Sequence, residues 1–423
     1  MKTPVVIIGG GPCGSACAMN LAARGIDSVI VEQETFPRFH IGESLTGGSA
    51  DLLRELGLEQ AMIDAGYPTK YGIRIFGPTG RINWWVPIRT RRPDGQHDTI
   101  SWQVRRSQFD KFLLDTAVER GATLVSGKVT QPLLDADGAA RGVRVQRADG
   151  STLDVDSEVV IDASGQKTFL CKAGLTGVKA RGRYSRQVAI YSHFADVERD
   201  EGDAWGNTLT FFQQRHHWSW FIPLDEQVTS IGFVVPGETF QAAGQSPEEF
   251  LTDQLTRFHP ELSRRTRAAA RVEEVRATSN YSYDIANFTG RGWLCVGDAH
   301  RFVDPLFSYG VNIALQEARE AAVEVQRYLA GETTDPDRPF AAFEAFAARG
   351  VSTAQIVLDG FWDVTFTFGF LLREHQEDFV DLFSGRVWVE QEYPAVAAMR
   401  ESLDKHYLDH PELAPDAEPV ATA

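Results

Sequence analysis

Residues 4–8 are continuously apolar, 12–24 read as a small-residue helix, and 28–32 (Ser28-Val29-Ile30-Val31-Glu32) form a second apolar run. Short uninterrupted runs of this kind suit strands covered on both faces, so the chain opens on a βαβ unit. Further strand-like runs lie at 122–126, 142–147 and 152–162, the last ending in Asp162-Ala163-Ser164-Gly165. The chain returns to the same layer at Gly292-Trp293-Leu294-Cys295-Val296-Gly297-Asp298. Between these pieces, 66–102 and 183–276 hold short alternating segments rich in Trp, Phe, Thr and Val, the pattern of a sheet roofing a cavity. From Pro339 the pattern turns helical and aromatic, with Phe361, Trp362, Phe366, Phe368, Phe370 and Trp388, and a Pro/Ala/Glu tail from His410 is expected to fray. The pattern predicts an α/β fold with three parts: a discontinuous nucleotide-binding domain (1–65, 103–182 and 277–335), a β-sheet substrate domain (66–102 and 183–276) and a C-terminal helical region (336–423).

Composition narrows the partners. The 423 residues carry a formal net charge of −16, and no long Lys/Arg run supplies the basic surface that nucleic acid requires. An acidic carrier protein remains compatible, because a local basic patch is enough to dock it. Cys13, Cys17, Cys171 and Cys295 match neither a disulfide framework nor a zinc site, which suits a reducing cytoplasm. The apolar start is too short for a signal segment, and no stretch approaches the ~20 apolar residues of a membrane span. His216-His217 precede an aromatic strand, but adjacent strand residues face opposite ways and no third ligand is spaced to join them, so no metal is expected.

Gly9, Gly11 and Gly14 form G-x-G-x-x-G between the first strand and the first helix. The first allows the turn, the second lets a pyrophosphate approach backbone, and the third lets helix meet strand; the phosphate then sits on a helix N-terminus. Glu32 ends the second strand, where an acidic residue takes a ribose hydroxyl pair. That favours an unphosphorylated ribose, hence FAD or NAD.

The choice falls on FAD by resemblance. Gly297-Asp298 after a short strand, and Arg106 within Val104-Arg105-Arg106-Ser107-Gln108-Phe109-Asp110, look like the second and third FAD contacts of the para-hydroxybenzoate hydroxylase-like flavoproteins, implying that fold. Phe36-Pro37-Arg38-Phe39-His40-Ile41-Gly42-Glu43-Ser44-Leu45 resembles the F-P-R-x-x-x-G-E-S-L stretch of flavin-dependent halogenases of the phenol and pyrrole type. Trp218-x-Trp220-x-Ile222-Pro223 resembles their W-x-W-x-I-P signature, and Lys70 lies where they carry a single essential lysine. Its neighbours Tyr67, Pro68, Tyr71 and Gly72 suggest burial at a strand start, and a desolvated lysine is easily neutralised to act as acid, base or nucleophile. Gly297 to Asn312 resembles the family's flavin-side loop, with halide held by backbone N–H groups at Tyr309 and Gly310.

The resemblance, over roughly residues 1–385, implies that FADH2, O2 and chloride or bromide generate hypohalous acid, which Lys70 guides to an electron-rich aromatic carbon, either by hydrogen bonding or as a haloamine. The substrate is a phenol or pyrrole, free or tethered to a carrier protein. Trp218 and Trp220 keep substrate from the flavin, while Gly9, Gly11, Gly14, Glu32, Arg38, Ser44, Arg106 and Asp298 hold FAD. No second dinucleotide fingerprint is present, so reduced flavin comes from a separate NADH-dependent reductase. The C-terminal aromatics serve as core, as substrate cover or as a homodimer contact. Two departures matter: Phe307 replaces the catalytic glutamate of the tryptophan halogenases, against free tryptophan as substrate, and Tyr309 stands where many relatives have serine. A flavin-dependent aromatic hydroxylase and a non-catalytic flavoprotein are the competing readings.

Overall fold

Strand Lys2–Ile8 lies parallel between Ser28–Glu32 and Thr152–Asp162, with Val5 opposite Ser28 on one side and Val159 on the other. Val5, Val6 and Ile7 are fully buried, as continuous apolar runs require. Thr123–Ser126 extends the sheet beyond Ser28–Glu32, and Trp293–Cys295 pairs in parallel with the end of Thr152–Asp162. The beginning of that strand pairs antiparallel with Ala140–Gln146, and this in turn with Lys128–Leu134. The last strand has no apolar run to announce it; Pro132 and two register shifts mark it as a sheet edge. The computed structural model describes residues 1–414 apart from 82, 93, 185 and 280.

The Pro12–Ala22 helix buries Cys13, Gly14, Ala16, Cys17 and Ala18, small residues that let it pack closely. It meets the Tyr309–Leu329 helix, where the Cys13 thiol donates to the Ala314 carbonyl. The second large sheet runs in the order 270–271, 187–195, 229–236, 217–223, 208–214, 72–76, 83–87. One face carries Ile190, Phe211, Phe221 and Phe233 against helices Pro247–Arg257 and Pro260–Arg265. The other presents Tyr191, Trp218, Trp220 and Val234 to the C-terminal helices. Strand alternation thus sends the two tryptophans and Phe221 to opposite faces.

Two regions differ from the sequence expectation. Residues 237–265 contain three helices rather than strands only, the second opened by a capping box between Ser246 and Glu249 with Pro247 in its first turn. His410–Ala414, expected to fray, is held by Arg183 donating to the Leu413 carbonyl; 415–423 lie outside the described residues. The C-terminal helices Ala341–Asp363, Thr365–Glu374, Gln376–Phe383 and Pro394–Asp409 bury Phe361, Trp362, Phe368, Phe379 and Phe383 but leave Phe366 99% exposed. Among the described residues, no single helix is long and apolar enough to cross a membrane, and the four cysteines are free.

Candidate active site

The glycine loop is shaped by close approaches. Gly9 has φ +104°, and a Cβ there would lie 2.6 Å from the Ala163 carbonyl oxygen; one on Gly14 would lie 2.0 Å from the Gly9 oxygen. At Gly11 a Cβ would meet only the Arg38 guanidinium, at 3.4 Å, which leaves this backbone open to a diphosphate beneath a cation. Glu32 accepts from the Gly10 N–H and the Glu34 N–H, both at 2.7 Å, so it also braces the loop.

Arg106 opens the Arg106–Glu119 helix and is held on three sides. It donates to both oxygens of Asp110, at 2.6 and 3.0 Å, and to the Ile41 carbonyl at 2.6 Å. Arg38 reaches the same Asp110 carboxylate at 3.2 Å, so one buried aspartate fixes two cations beside the groove. At the other end, the Gly297–Ala299 turn is pinned by buried Glu317, which accepts from the Gly297 N–H at 2.6 Å and contacts His300 Nε2 at 2.9 Å. Burial pushes the Asp298 carboxyl up to about 7, with Arg106 opposing it. A glycine-lined loop, a terminal carboxylate and clustered arginines fit the adenosine and diphosphate of FAD.

Lys70 ends a two-residue strand, Thr69–Lys70, paired with Ser101–Trp102, and is 1% exposed. Its Nζ donates to Ser44 Oγ at 2.8 Å and to the Leu45 carbonyl at 3.0 Å. Ser44 Oγ also meets Thr208 Oγ1 at 2.8 Å, and Gln103 Nε2 donates to Thr208 Oγ1 at 2.8 Å. Among the described residues its hydrogen-bond partners are neutral oxygens, with no carboxylate. Burial alone pulls its amine down to about 7. The next residue, Thr46, caps the Gly47–Glu55 helix, whose Gly48 lies against Asn312 of the Tyr309–Leu329 helix. Ser44 to Gly48 therefore bridges Lys70 and the start of that long helix.

Trp218 and Trp220 share one strand face with ring centroids 5.8 Å apart, and Trp220 Nε1 donates to Ser230 Oγ at 3.0 Å. Opposite Trp220 stands Gly232, where a Cβ would fall 2.2 Å from the indole, so only glycine lets the ring lie flat on the neighbouring strand. Tyr191 continues the aromatic row at 5.6 Å from Trp220, and Phe39 of the Phe36–Leu45 segment stacks on Tyr191 at 6.3 Å.

Tyr309 is the first residue of the 21-residue helix, following Ser308 at φ 58°. First-turn N–H groups lack intrahelical acceptors, and the space beside Gly310 is open: a Cβ there would touch nothing within 4 Å. The Tyr309 hydroxyl is committed elsewhere, donating to the Leu382 carbonyl at 2.7 Å. Phe307 sits in an aromatic cluster, 4.8 Å from Phe383 and 5.8 Å from Phe361.

The sequence reading missed Gln103, Thr208 and Glu317, and also the buried Glu43–His193 pair at 2.8 Å. Glu43 stood within the G-E-S-L stretch, which was the available signal; His193 lies inside an apolar strand and gave none.

The FAD binding domain family matches residues 2–336. The chain is 34% identical over 404 residues to the 1H-pyrrole-2-carbonyl-[peptidyl-carrier protein] brominase of Pseudoalteromonas luteoviolacea, covering 95% of this chain and 96% of that protein. It is 26% identical to the corresponding chlorinase of Pseudomonas fluorescens, over 94% of this chain and 92% of that one. The solved structure of the flavin-dependent brominase Bmp2 matches with a TM-score of 0.90 at 34% identity, covering 97% of this chain and all of that one. The FAD-binding α/β fold and the halogenase reading both hold over the hydroxylase alternative. The chain belongs to the flavin-dependent halogenases and is an FAD-dependent, halide-using enzyme.

Proposed function

We propose that the enzyme chlorinates or brominates a pyrrole ring carried as an acyl group on a carrier protein, with Lys70 as the halogen carrier. The tether is suggested by the names of the two relatives, each of which acts on a pyrrole-2-carbonyl group bound to a peptidyl carrier. The observation that carries the role of Lys70 is its full burial among neutral oxygens, which brings the amine to about 7 and makes its uncharged form available near neutrality.

When bound in reduced form, delivered by a separate NADH-dependent reductase, the flavin would supply, with O2 and halide, the oxidising equivalent for hypohalous acid. The neutral Lys70 nitrogen takes the halogen from that acid: an N–halogen bond forms and water leaves. The pyrrole carbon then takes the halogen while the nitrogen keeps the bonding pair, and the proton lost from the ring restores the amine. Ser44 and the Leu45 carbonyl aim the nitrogen, so Ser44 is assigned to Lys70 rather than to the cofactor. Gly9, Gly11, Gly14, Glu32, Arg38, Arg106 and Asp298 hold FAD, and the Tyr309 and Gly310 amides place halide. Trp218 and Trp220 wall the cavity and exclude substrate from the flavin.

The test is an intact-mass measurement of pyrrole-2-carbonyl carrier protein incubated with the enzyme, FAD, flavin reductase and NADH, with chloride, with bromide and with neither. Halide-dependent halogenation of the carrier-bound ring supports the proposal. Halogenation confined to free pyrrole-2-carboxylate or a phenol overturns the tether, and halide-independent gain of one oxygen overturns the halogenation.

A further inference from the structure

Between Asp162 and Asp196 the sequence contains no Asp or Glu but six basic residues, Lys167, Lys172, Lys179, Arg181, Arg183 and Arg186, in a chain whose net charge is −16. The segment begins where strand Thr152–Asp162 ends, at the carboxyl edge of the parallel sheet, the edge at which open α/β sheets bind dinucleotides.

Its course follows the cofactor groove. Lys167 pairs with Glu34, which also contacts Arg38 beside Gly11. Gln166 lies beside the Asp298 carboxyl and opposes the rise that burial imposes on it. Lys179 lies 3.4 Å over the ring of Tyr283, whose hydroxyl donates to the Asp298 carbonyl. The basic segment thus borders both the Glu34 end and the Asp298 end.

Its charges are not all alike. Arg183 is neutralised by Asp359 and Asp363, and Lys167 by Glu34. Lys172, Lys179 and Arg181 are exposed and, among the described residues, have no ion pair. Burial, and then repulsion from Lys172, pulls the Lys179 ammonium down, against weaker opposing pulls from Cys171 and Asp298, so these two cations feel each other.

Resting on the reading that reduced flavin arrives from a separate reductase, we propose that Lys172, Lys179 and Arg181 form an electrostatic collar that draws the anionic diphosphate of FAD into the groove at each exchange. A surface of net negative charge repels such a ligand at long range, and a local cationic rim reverses the field at the entrance. Steering of this kind raises association rates by about 10- to 1,000-fold and fades as salt shortens the Debye length below ~10 Å.

The experiment follows FAD fluorescence quenching by stopped flow in three full-length proteins: wild type, the collar variant Lys172→Glu/Lys179→Glu/Arg181→Glu, and a remote variant of equal charge change, Arg92→Glu/Arg257→Glu/Lys405→Glu. At low salt the collar variant should associate at least about tenfold more slowly, converge on wild type near ~0.5 M salt, and dissociate at an unchanged rate, while the remote variant behaves as wild type. The neutral variant Lys172→Gln/Lys179→Gln/Arg181→Gln should show the same effect at smaller size and guards against misfolding of the reversal. Unchanged association in both collar variants, a change confined to dissociation, or an equal loss in the remote variant overturns the collar. Failure of wild type to bind FAD at all would instead overturn the proposed function together with it.

Discussion

Replacing Lys70 with Met should stabilise the protein near pH 6 while abolishing product. A fall of the Lys70 amine from its ordinary 10.5 to about 7 represents about 5 kcal/mol at ~1.4 kcal/mol per pH unit. Below pH 7 both folded and unfolded chains hold the proton, and the folded state bears the whole penalty of a buried ammonium. Between about 7 and 10.5 the unfolded chain binds the extra proton, so wild-type stability rises with pH; above 10.5 both forms are neutral and the penalty is gone. Methionine keeps the length and loses the charge. It also gives up two hydrogen bonds, but their acceptors keep partners: Ser44 retains Thr208, and the Leu45 carbonyl retains the Ser101 hydroxyl. Allowing ~1–3 kcal/mol for those bonds leaves Lys70→Met more stable by about 2–4 kcal/mol at pH 6. For a chain of this length that is a rise of roughly 2–4 °C in Tm, vanishing between about pH 8 and 10 and turning into a net loss above, where only the two lost hydrogen bonds remain. Thermal melts of both proteins from pH 6 to 9.5 provide the assay. Parallel pH profiles, or a variant less stable at pH 6, would refute the desolvated lysine.

Other outcomes follow from the same geometry. Halogenated product per FADH2 oxidised should rise from pH 6 to 8 as the Lys70 amine loses its proton, read by chromatography with peroxide assayed in parallel; a flat or falling yield contradicts the amine as acceptor. Ser44→Ala should lower that yield several-fold without weakening FAD binding in a flavin titration. Gly232→Ala drives a methyl into Trp220 and should cost about 1–3 kcal/mol by thermal unfolding, with a larger share of the oxidant escaping uncoupled. Asp110→Ala leaves Arg106 and Arg38 without their shared carboxylate, which should cost about 3–5 kcal/mol and lower FAD affinity in the same titration.

Much of this was legible because local rules and tertiary demands agree. The βαβ unit shows in its continuous apolar runs, and the glycines at 9, 11 and 14 are needed where an added Cβ would fall 2.0–2.6 Å from a carbonyl oxygen or a cofactor approaches. Burial of Lys70 was suggested by its aromatic and proline neighbours. What stayed hidden is assembled from distant segments: Gln103, Thr208 and Ser44 converge beside Lys70 from three separate strands or loops, and Glu43 meets His193 across 150 positions. Lys128–Leu134 escaped because an edge strand with one wet face and a proline has no clean period. The helices of 237–265 cover only one face of the roof sheet, so their apolar stripe is thin and charged residues dominate the pattern.

The most direct test of Lys70 as halogen carrier compares wild type with Lys70→Ala, using the same FADH2 supply, halide and pyrrole-2-carbonyl carrier. Both should consume FADH2 and O2 at comparable rates, wild type giving halogenated carrier and Lys70→Ala giving only peroxide or free hypohalite. Halogenated carrier at wild-type yield from Lys70→Ala would contradict the account.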